Sequence, residues 1–154
     1  MSNNNIKKYK PEILLISSYP PRECGIATFS DDLRKALNNK FSQSFSTSVC
    51  ALETADEKHD YPAEVRYVLD TSNVQAYQAM IDAINSDDRI KIVLLQHEFG
   101  FFETMPERDF LHFLNSIKKP LIVTFNTVLS RPNDALKKKV SDITKACDSV
   151  VVMT

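Results

Sequence analysis

The sequence predicts an α/β fold, a doubly wound parallel sheet of about six strands with helices on both faces. Short runs of apolar and β-branched residues recur along the chain, and stretches with helical spacing of apolar residues lie between most of them. The chain has 154 residues, of which 43% are hydrophobic and 25% charged, as expected of one ordinary globular domain. Strands that alternate with helices favour parallel pairing, because a parallel connection must cross over the sheet.

The predicted strands are short, and the first and fourth are almost wholly apolar, which is typical of strands buried on both faces of a parallel sheet. In chain order they span residues 13–16, 47–52, 65–69, 90–95, 121–125 and 150–152.

Four stretches place apolar residues three or four positions apart, on one face of a predicted helix. Their apolar stripes begin at Ile26, Val74, Phe110 and Leu136. Ser72, followed by Gln75 three residues later, fits a capping box at the start of the second helix. Ser130 and Pro132 precede the fourth helix. Residues 53–64 are polar and are predicted to form a loop between the second and third strands.

The natural topology for this pattern is the strand order 3-2-1-4-5-6, in which the first and fourth strands are neighbours. Ligands of doubly wound sheets bind at the carboxyl ends of the strands, where the chain reverses direction. We therefore expect the functional loops to follow Ile16 and Leu95.

Composition excludes several function classes. The chain has two glycines, Gly25 and Gly100, so it contains neither of the glycine-rich phosphate loops. Its 19 basic and 20 acidic residues argue against general nucleic-acid binding. Three cysteines without a C-x-x-C pair predict neither a zinc site nor a disulfide framework, and no metal is expected. No apolar run is long enough for a membrane span and no signal peptide is evident, so a cytoplasmic location is the default expectation.

The loop after the first strand carries the first candidate binding residues. Arg22 has the chemistry to pair with a phosphate or carboxylate. Cys24, Gly25 and Ile26 lie at the start of the following helix, where free backbone N–H groups favour an anion. Gly25 permits a positive φ or close backbone approach. The alternative is a stiff turn into a helix with no further role.

The loop after the fourth strand supplies the catalytic candidates. His97 could act as a base or hydrogen-bond a sugar hydroxyl, and Glu98 could accept from hydroxyls or orient an imidazole. Phe99 and Gly100 complete this candidate site. The alternative is that His97 caps the strand end by bonding to the backbone.

The loop after the fifth strand adds Asn126 and Thr127 to the substrate-binding candidates. Both can donate and accept hydrogen bonds, but neither titrates near neutral pH. The alternative is turn chemistry before the next helix.

The motifs PPRECGI followed by ATFS, then QHEFG, TFNTVL and VVVMT, resemble in this order the N-terminal domain of family 4 glycosyltransferases. The resemblance runs from about residue 12 to residue 154. It implies a GT-B architecture, in which two Rossmann-like domains face each other across a cleft, and retaining transfer of a hexose such as mannose or glucose. The loop of Gly25 would then lie near the donor phosphates and the acceptor, while His97 and Glu98 would line the acceptor side.

The same resemblance implies the ligands and partners. The donor is a nucleoside-diphosphate sugar held mostly by a second domain, with no tightly bound cofactor. The acceptor is a sugar, a glycan or a glycolipid. On this basis we expect residues 12–154 to form the incomplete, acceptor-side half of a GT-B enzyme, inactive alone, after an extended or disordered tail of residues 1–11.

One departure from the family pattern concerns the end of the fifth strand, where members commonly carry a histidine and this chain has Asn126. An amide can hold a hydroxyl but cannot exchange a proton. The alternative function is therefore a non-catalytic α/β binding or interaction module derived from a transferase. The lysine run 137–139 predicts a solvated helix face, with contact to a membrane surface as the alternative.

Overall fold

A computed structural model describes residues 9–153 and shows a six-stranded parallel sheet with four α-helices and one short 3-10 helix. Residues 1–8 of the expected N-terminal tail, and Thr154 at the end of the expected domain, lie outside the described residues. The strands are β1 (Glu12–Ser17), β2 (Ser46–Glu53), β3 (Val65–Asp70), β4 (Ile90–His97), β5 (Leu121–Phe125) and β6 (Ser149–Val152). The helices are α1 (Gly25–Phe41), α2 (Val74–Ser86), α3 (Glu107–Ser116) and α4 (Asp134–Lys145), with the 3-10 helix at Phe99–Phe102.

The strand order is β3-β2-β1-β4-β5-β6, which confirms the predicted doubly wound, Rossmann-like topology. β1 lies between β2 and β4, and Ile16 is in register with Cys50 on one side and Leu95 on the other. The carboxyl ends of β1, β4 and β5 therefore meet at one edge of the sheet, which we call the carboxyl edge.

The two faces of the sheet are covered unequally. Helices α2, α3 and α4 contribute to the larger apolar cluster, which includes Ile84, Phe113 and Ile143. The smaller cluster lies on the opposite face, where Leu33 of α1 packs against Leu15 and its buried neighbours. β1 is thus buried on both sides along its whole length, which explains its continuous apolar run, whereas Ile92 and Leu94 of β4 are half-buried.

Several element boundaries differ from the sequence-based expectation. β4 continues through His97, two residues beyond the predicted end, because its polar residues keep pairing in register with β5. The capping box at Ser72 is wrong. The N-cap of α2 is Asn73, whose side-chain Oδ1 accepts from the backbone N–H of Gln75, while the Ser72 hydroxyl donates to Asp70.

Among residues 9–153, no helix combines the length and the apolar character that crossing a bilayer requires.

Candidate functional site

The loop after β1 is fixed by a buried tyrosine. The hydroxyl of Tyr19 donates to Oδ1 of Asp31 at 2.7 Å and accepts from Nε of Arg34 at 2.6 Å. Arg34 also pairs with Glu64 at 2.9 Å, so the network joins this loop to α1 and to the segment before β3. Burial, together with the hydrogen bond to Asp31, raises the pKa of Tyr19 well above its ordinary value. Tyr19 therefore anchors the chain immediately before Arg22 and the start of α1.

The start of α1 is capped by a thiol. Sγ of Cys24 accepts from the backbone N–H of Ala27 at 3.4 Å and lies 3.3 Å from the hydroxyl of Ser18. Gly25 is the first residue of α1, and Ile26 is half-buried beside it. Gly25 does not use the positive φ that glycine permits, and a Cβ there would meet no atom within 4 Å beyond its own helix and chain neighbours.

Arg22 joins three loops at the carboxyl edge. Its guanidinium forms an ion pair with Glu57 at 3.2 Å and lies 5.4 Å from the ring centroid of Phe101. Glu57 belongs to the loop between β2 and β3, and Phe101 to the 3-10 helix after β4. Arg22 and Gly100 line one small cavity of about 40 Å³, together with Glu53 at the end of β2. Arg22 and Gly100 are thus brought together, as the topology predicted.

The loop between β2 and β3 also forms part of this edge, although no candidate site residue was predicted there. Glu53 is buried, and its Oε1 accepts from the backbone N–H of His59 at 2.9 Å. The sequence did carry a signal for Glu53, because it directly follows the second predicted strand. The carboxyl end of that strand lies at the same edge of the parallel sheet as the end of β1. Glu57 carried no such signal, since it lies among other exposed polar residues of the loop.

His97 is enclosed rather than presented to a ligand. It is 1% exposed, and its ring lies 4.9 Å from the centroid of Phe99 and 5.1 Å from that of Phe125. The rings of Phe102 and Phe110 complete the enclosure. Neither ring nitrogen has a hydrogen-bond partner among the described residues. The ring does not cap the strand end by bonding to the backbone, which was the alternative expectation.

The enclosure determines the charge of His97. Burial removes the imidazolium from water, and the positive charge of Lys139 disfavours it further, so the pKa of His97 is lowered to about 4. The ring is therefore neutral at physiological pH. Any direct contact with a substrate would require the surrounding aromatic rings to move.

Two of the candidate site residues, Glu98 and Thr127, are in direct contact. The hydroxyl of Thr127 donates to Oε2 of Glu98 at 2.7 Å, and Oε1 of Glu98 accepts from the backbone N–H of Phe99 at 3.1 Å. Both residues are half-buried, so the carboxylate is held by two donors and still reaches the surface. Asn126, beside them, donates from Nδ2 to the backbone carbonyl of His97 at 3.3 Å, and its own backbone N–H binds the same oxygen at 3.2 Å.

An apolar groove of about 400 Å³ lies beside this pair of residues. We call it the α4 groove. Its walls come from the end of β5, the following loop, α4 and the end of β6, with Phe99 at one side. The lining side chains are Phe99, Phe125, Thr127, Val128, Leu129, Pro132, Leu136, Lys137, Val140, Ser141, Thr144 and Val152. A volume of this size is in the range that small-molecule sites occupy, roughly 300–1,000 Å³.

Within residues 9–153, no group of three or more histidine, cysteine, aspartate or glutamate side chains is arranged to hold a metal ion. The polar groups of the carboxyl edge can instead bind hydroxyls through Glu98 and Thr127 and an anion through Arg22.

Comparison with known proteins finds similarity in solved structures. The sequence matches no protein-family model and no curated protein. The fold is similar to that of an alpha-glucosyltransferase in complex with UDP, with a TM-score of 0.54 and 14% identity. The alignment includes 93% of this chain and 35% of the glucosyltransferase chain. A homoserine dehydrogenase of S. aureus, solved at pH 6.0, gives a TM-score of 0.45 at 12% identity over 94% of this chain and 33% of that one.

The chain thus spans about a third of the glucosyltransferase that it resembles. At this identity the likeness concerns the fold alone. The chain has a Rossmann-like α/β fold, similar to that of a glycosyltransferase.

Proposed function

We propose that this chain is the acceptor-side domain of a family 4 glycosyltransferase of GT-B architecture, which acts in the cytoplasm. The complete enzyme would transfer a mannose- or glucose-type hexose from a nucleoside-diphosphate sugar with retention of configuration. Among the described residues, the motifs that resemble the family include the loops that follow β1, β4 and β5, and the similarity to a UDP-bound glucosyltransferase supports the same fold. In this proposal a second domain holds most of the donor and stabilises the leaving diphosphate, so residues 1–154 alone are inactive.

The observation that carries the proposal is the hydrogen bond between Thr127 and Glu98 across two neighbouring strand ends. A carboxylate that is fixed by two donors and remains half-exposed is suited to accept hydrogen bonds from sugar hydroxyls. We assign this role to Glu98, with Thr127 and Asn126 positioned beside it. We assign His97 a positioning role, because its backbone carbonyl holds Asn126 while its ring stays enclosed.

Arg22 is the proposed anion-binding residue of the cleft. Its guanidinium is held by the ring of Phe101 and by an ion pair with an exposed carboxylate, Glu57. Surface ion pairs contribute little stability, about 0–1 kcal/mol, so a phosphate can replace Glu57 as the partner of Arg22. Cys24, Gly25 and Ile26 then present the start of α1 to the same region of the cleft.

The test compares residues 1–154 with a chain that continues into a second domain, each supplied with UDP-glucose or GDP-mannose and simple sugar acceptors. We expect no turnover from residues 1–154, and transfer from the longer chain that Glu98→Gln lowers by about tenfold or more in kcat/KM. Glu103→Gln is the matched control, because Glu103 is an exposed carboxylate just after the 3-10 helix.

Two results would contradict the proposal. Robust turnover by residues 1–154 would remove the need for a second domain. Equal kinetics for Glu98→Gln and Glu103→Gln would show that Glu98 has no role in the acceptor site.

A second candidate function is a non-catalytic binding module. It is favoured by Asn126 at the end of β5, because an amide cannot exchange a proton with a substrate and its Nδ2 already donates to the carbonyl of His97. This function predicts that the longer chain binds sugar acceptors, measured by calorimetry, without turning over either donor.

A further inference from the structure

We propose that the α4 groove binds the apolar chain of an amphiphilic acceptor that carries an anionic head group. The inference rests on the proposed function, because it names the class of acceptor, but its test involves neither a donor nor transfer.

The shape and lining of the groove point to an apolar chain. Most of the lining side chains are apolar, and they come from four separate segments of the chain. At its lip, Val128 and Leu129 are 57% and 52% exposed. Large exposed apolar side chains beside an apolar cavity mark a site for a ligand rather than a packed surface. A free sugar would not fit this groove well, because its surface is dominated by hydroxyls and most of the lining side chains are apolar.

The charge around the groove points to an anionic head group. Residues 128–145 contain five basic and two acidic side chains, a net charge of +3, in a chain whose total is −1. Lys137 lines the groove itself, and its Nζ is bound to Oδ1 of Asp134 at 3.0 Å. Because Asp134 is almost fully exposed, this ion pair is weak, and a phosphate can replace the carboxylate at little cost.

The position of the groove connects such a ligand to the proposed site. Thr127 lines the groove and donates to Glu98, so a molecule in the groove lies beside the carboxylate assigned to the acceptor hydroxyl. Phe99 is shared in the same way, since it lines the groove and gives its backbone N–H to Glu98.

The experiment titrates the 154-residue chain by calorimetry with four probes, namely octyl phosphate, hexyl phosphate, octyl glucoside and inorganic phosphate, each kept below any micelle concentration. Burial of each additional methylene strengthens binding by up to about fourfold. We therefore expect octyl phosphate to bind about tenfold more tightly than hexyl phosphate. Octyl glucoside and inorganic phosphate should each bind at least about fivefold more weakly than octyl phosphate, because each lacks one of the two recognised groups.

Two variants locate the ligand, and a third is the matched control. Leu129→Asp at the lip and Lys137→Glu in the wall should each weaken octyl phosphate binding by about fivefold or more. Lys138→Glu makes the same charge change on the next residue of α4, which also pairs with an aspartate but does not line the groove. It should change the affinity less than about twofold, as expected of a screened surface charge. All three positions are exposed, so thermal unfolding midpoints should stay close to that of the unchanged chain.

Each opposing result overturns the inference. Equal losses in Lys137→Glu and Lys138→Glu would show general attraction to a basic helix. Equal affinity for octyl glucoside would remove the anionic head group. Binding of inorganic phosphate as tight as that of octyl phosphate would show an anion site without the groove, and absence of octyl phosphate binding would refute the site. None of these outcomes depends on whether the longer chain transfers a sugar.

Discussion

The hydroxyl of Thr127 donates to Oε2 of Glu98, and the 2.7 Å bond joins the segment after β5 to the segment after β4. Asn126 makes a parallel link from its side chain to the carbonyl of His97. Two strand ends at the carboxyl edge are therefore held together by side chains, at the point where the sheet's backbone pairing stops. Rigid placement of polar groups at this edge is what the proposed acceptor site would require.

The first prediction concerns this bond. Thr127→Val should lower the free energy of unfolding by about 1–2 kcal/mol, because it removes a donor from a carboxylate that is already partly withdrawn from water. Thr127→Ser keeps the hydroxyl and should lose less. Urea denaturation measures both, and the effect of Thr127→Val should shrink when Glu98 is replaced by Gln in a double-mutant cycle. Additive effects of the two changes would show that the bond contributes nothing.

The second prediction concerns pH. The folded pKa of His97 is about 4, below its ordinary value of 6.5, so between these values the unfolded chain binds a proton that the folded chain does not. The free energy of unfolding is therefore unaffected by this group above pH 6.5. It decreases as the pH falls from 6.5 toward 4, by about 3 kcal/mol in total. His97→Phe should remove this part of the pH dependence. Urea denaturation of both proteins from pH 4 to 7.5 gives the difference.

The control for this experiment is His112→Gln, because His112 is exposed on α3. It should retain the pH dependence of the unchanged chain. A His97→Phe protein with the same slope as that control would mean that the ring is protonated in the folded state and therefore exposed to water.

The third prediction concerns the attachment of α1 to the sheet. The hydroxyls of Ser17 in β1 and Ser30 in α1 are both buried and lie 2.6 Å apart. Ser17→Ala leaves a buried hydroxyl unpaired and should lower the free energy of unfolding by about 1–3 kcal/mol. The double change to alanine removes both polar groups and should be less harmful than the two single changes added together. Thermal or urea unfolding of the four proteins decides the matter, and simple additivity would contradict the pairing.

The fourth prediction concerns the anchor of the loop after β1. Tyr19→Phe removes the hydroxyl that binds Asp31 and Arg34, and should lower the free energy of unfolding by about 1–2 kcal/mol. Tyr9→Phe is the control, since the Tyr9 side chain is exposed and should change stability by less than about 0.5 kcal/mol. Equal effects of the two changes would mean that the Tyr19 network does not hold the loop.

The strands were largely predictable, because a strand that is buried on both faces appears in the sequence as a short run of apolar residues. β5 was predicted at its observed bounds, and the strand order followed from the alternation of strands and helices. The end of β4 was not predictable in this way. Gln96 and His97 are polar, so a hydropathy pattern places them in a loop, yet backbone pairing with β5 keeps them in the strand. That pairing is a long-range property, which a local pattern does not record.

The candidate site was predictable to the level of loops rather than contacts. The proximity of the loop of Arg22 to the loop of Gly100 followed from the topology, whereas the hydrogen bond between Thr127 and Glu98 did not. The direction of the His97 ring did not follow from the topology. Successive residues of a strand point to opposite faces, so the face on which His97 lies depends on whether the strand continues as far as residue 97. The α4 groove also left no local pattern, since its walls come from segments far apart in the sequence.

The unequal cover of the two sheet faces has a consequence for local opening. Helices α2, α3 and α4 are attached to the sheet through the large apolar cluster, whereas α1 is attached through only a few buried side chains around Leu15. Hydrogen exchange should therefore be slowest in β4 and β5 and faster in α1 and in the loop that carries Arg22. Segments that must admit a ligand are commonly drawn from the least stable part of a fold. In this chain we therefore expect the part of the carboxyl edge near Arg22 to open at a lower free energy than the part near Glu98.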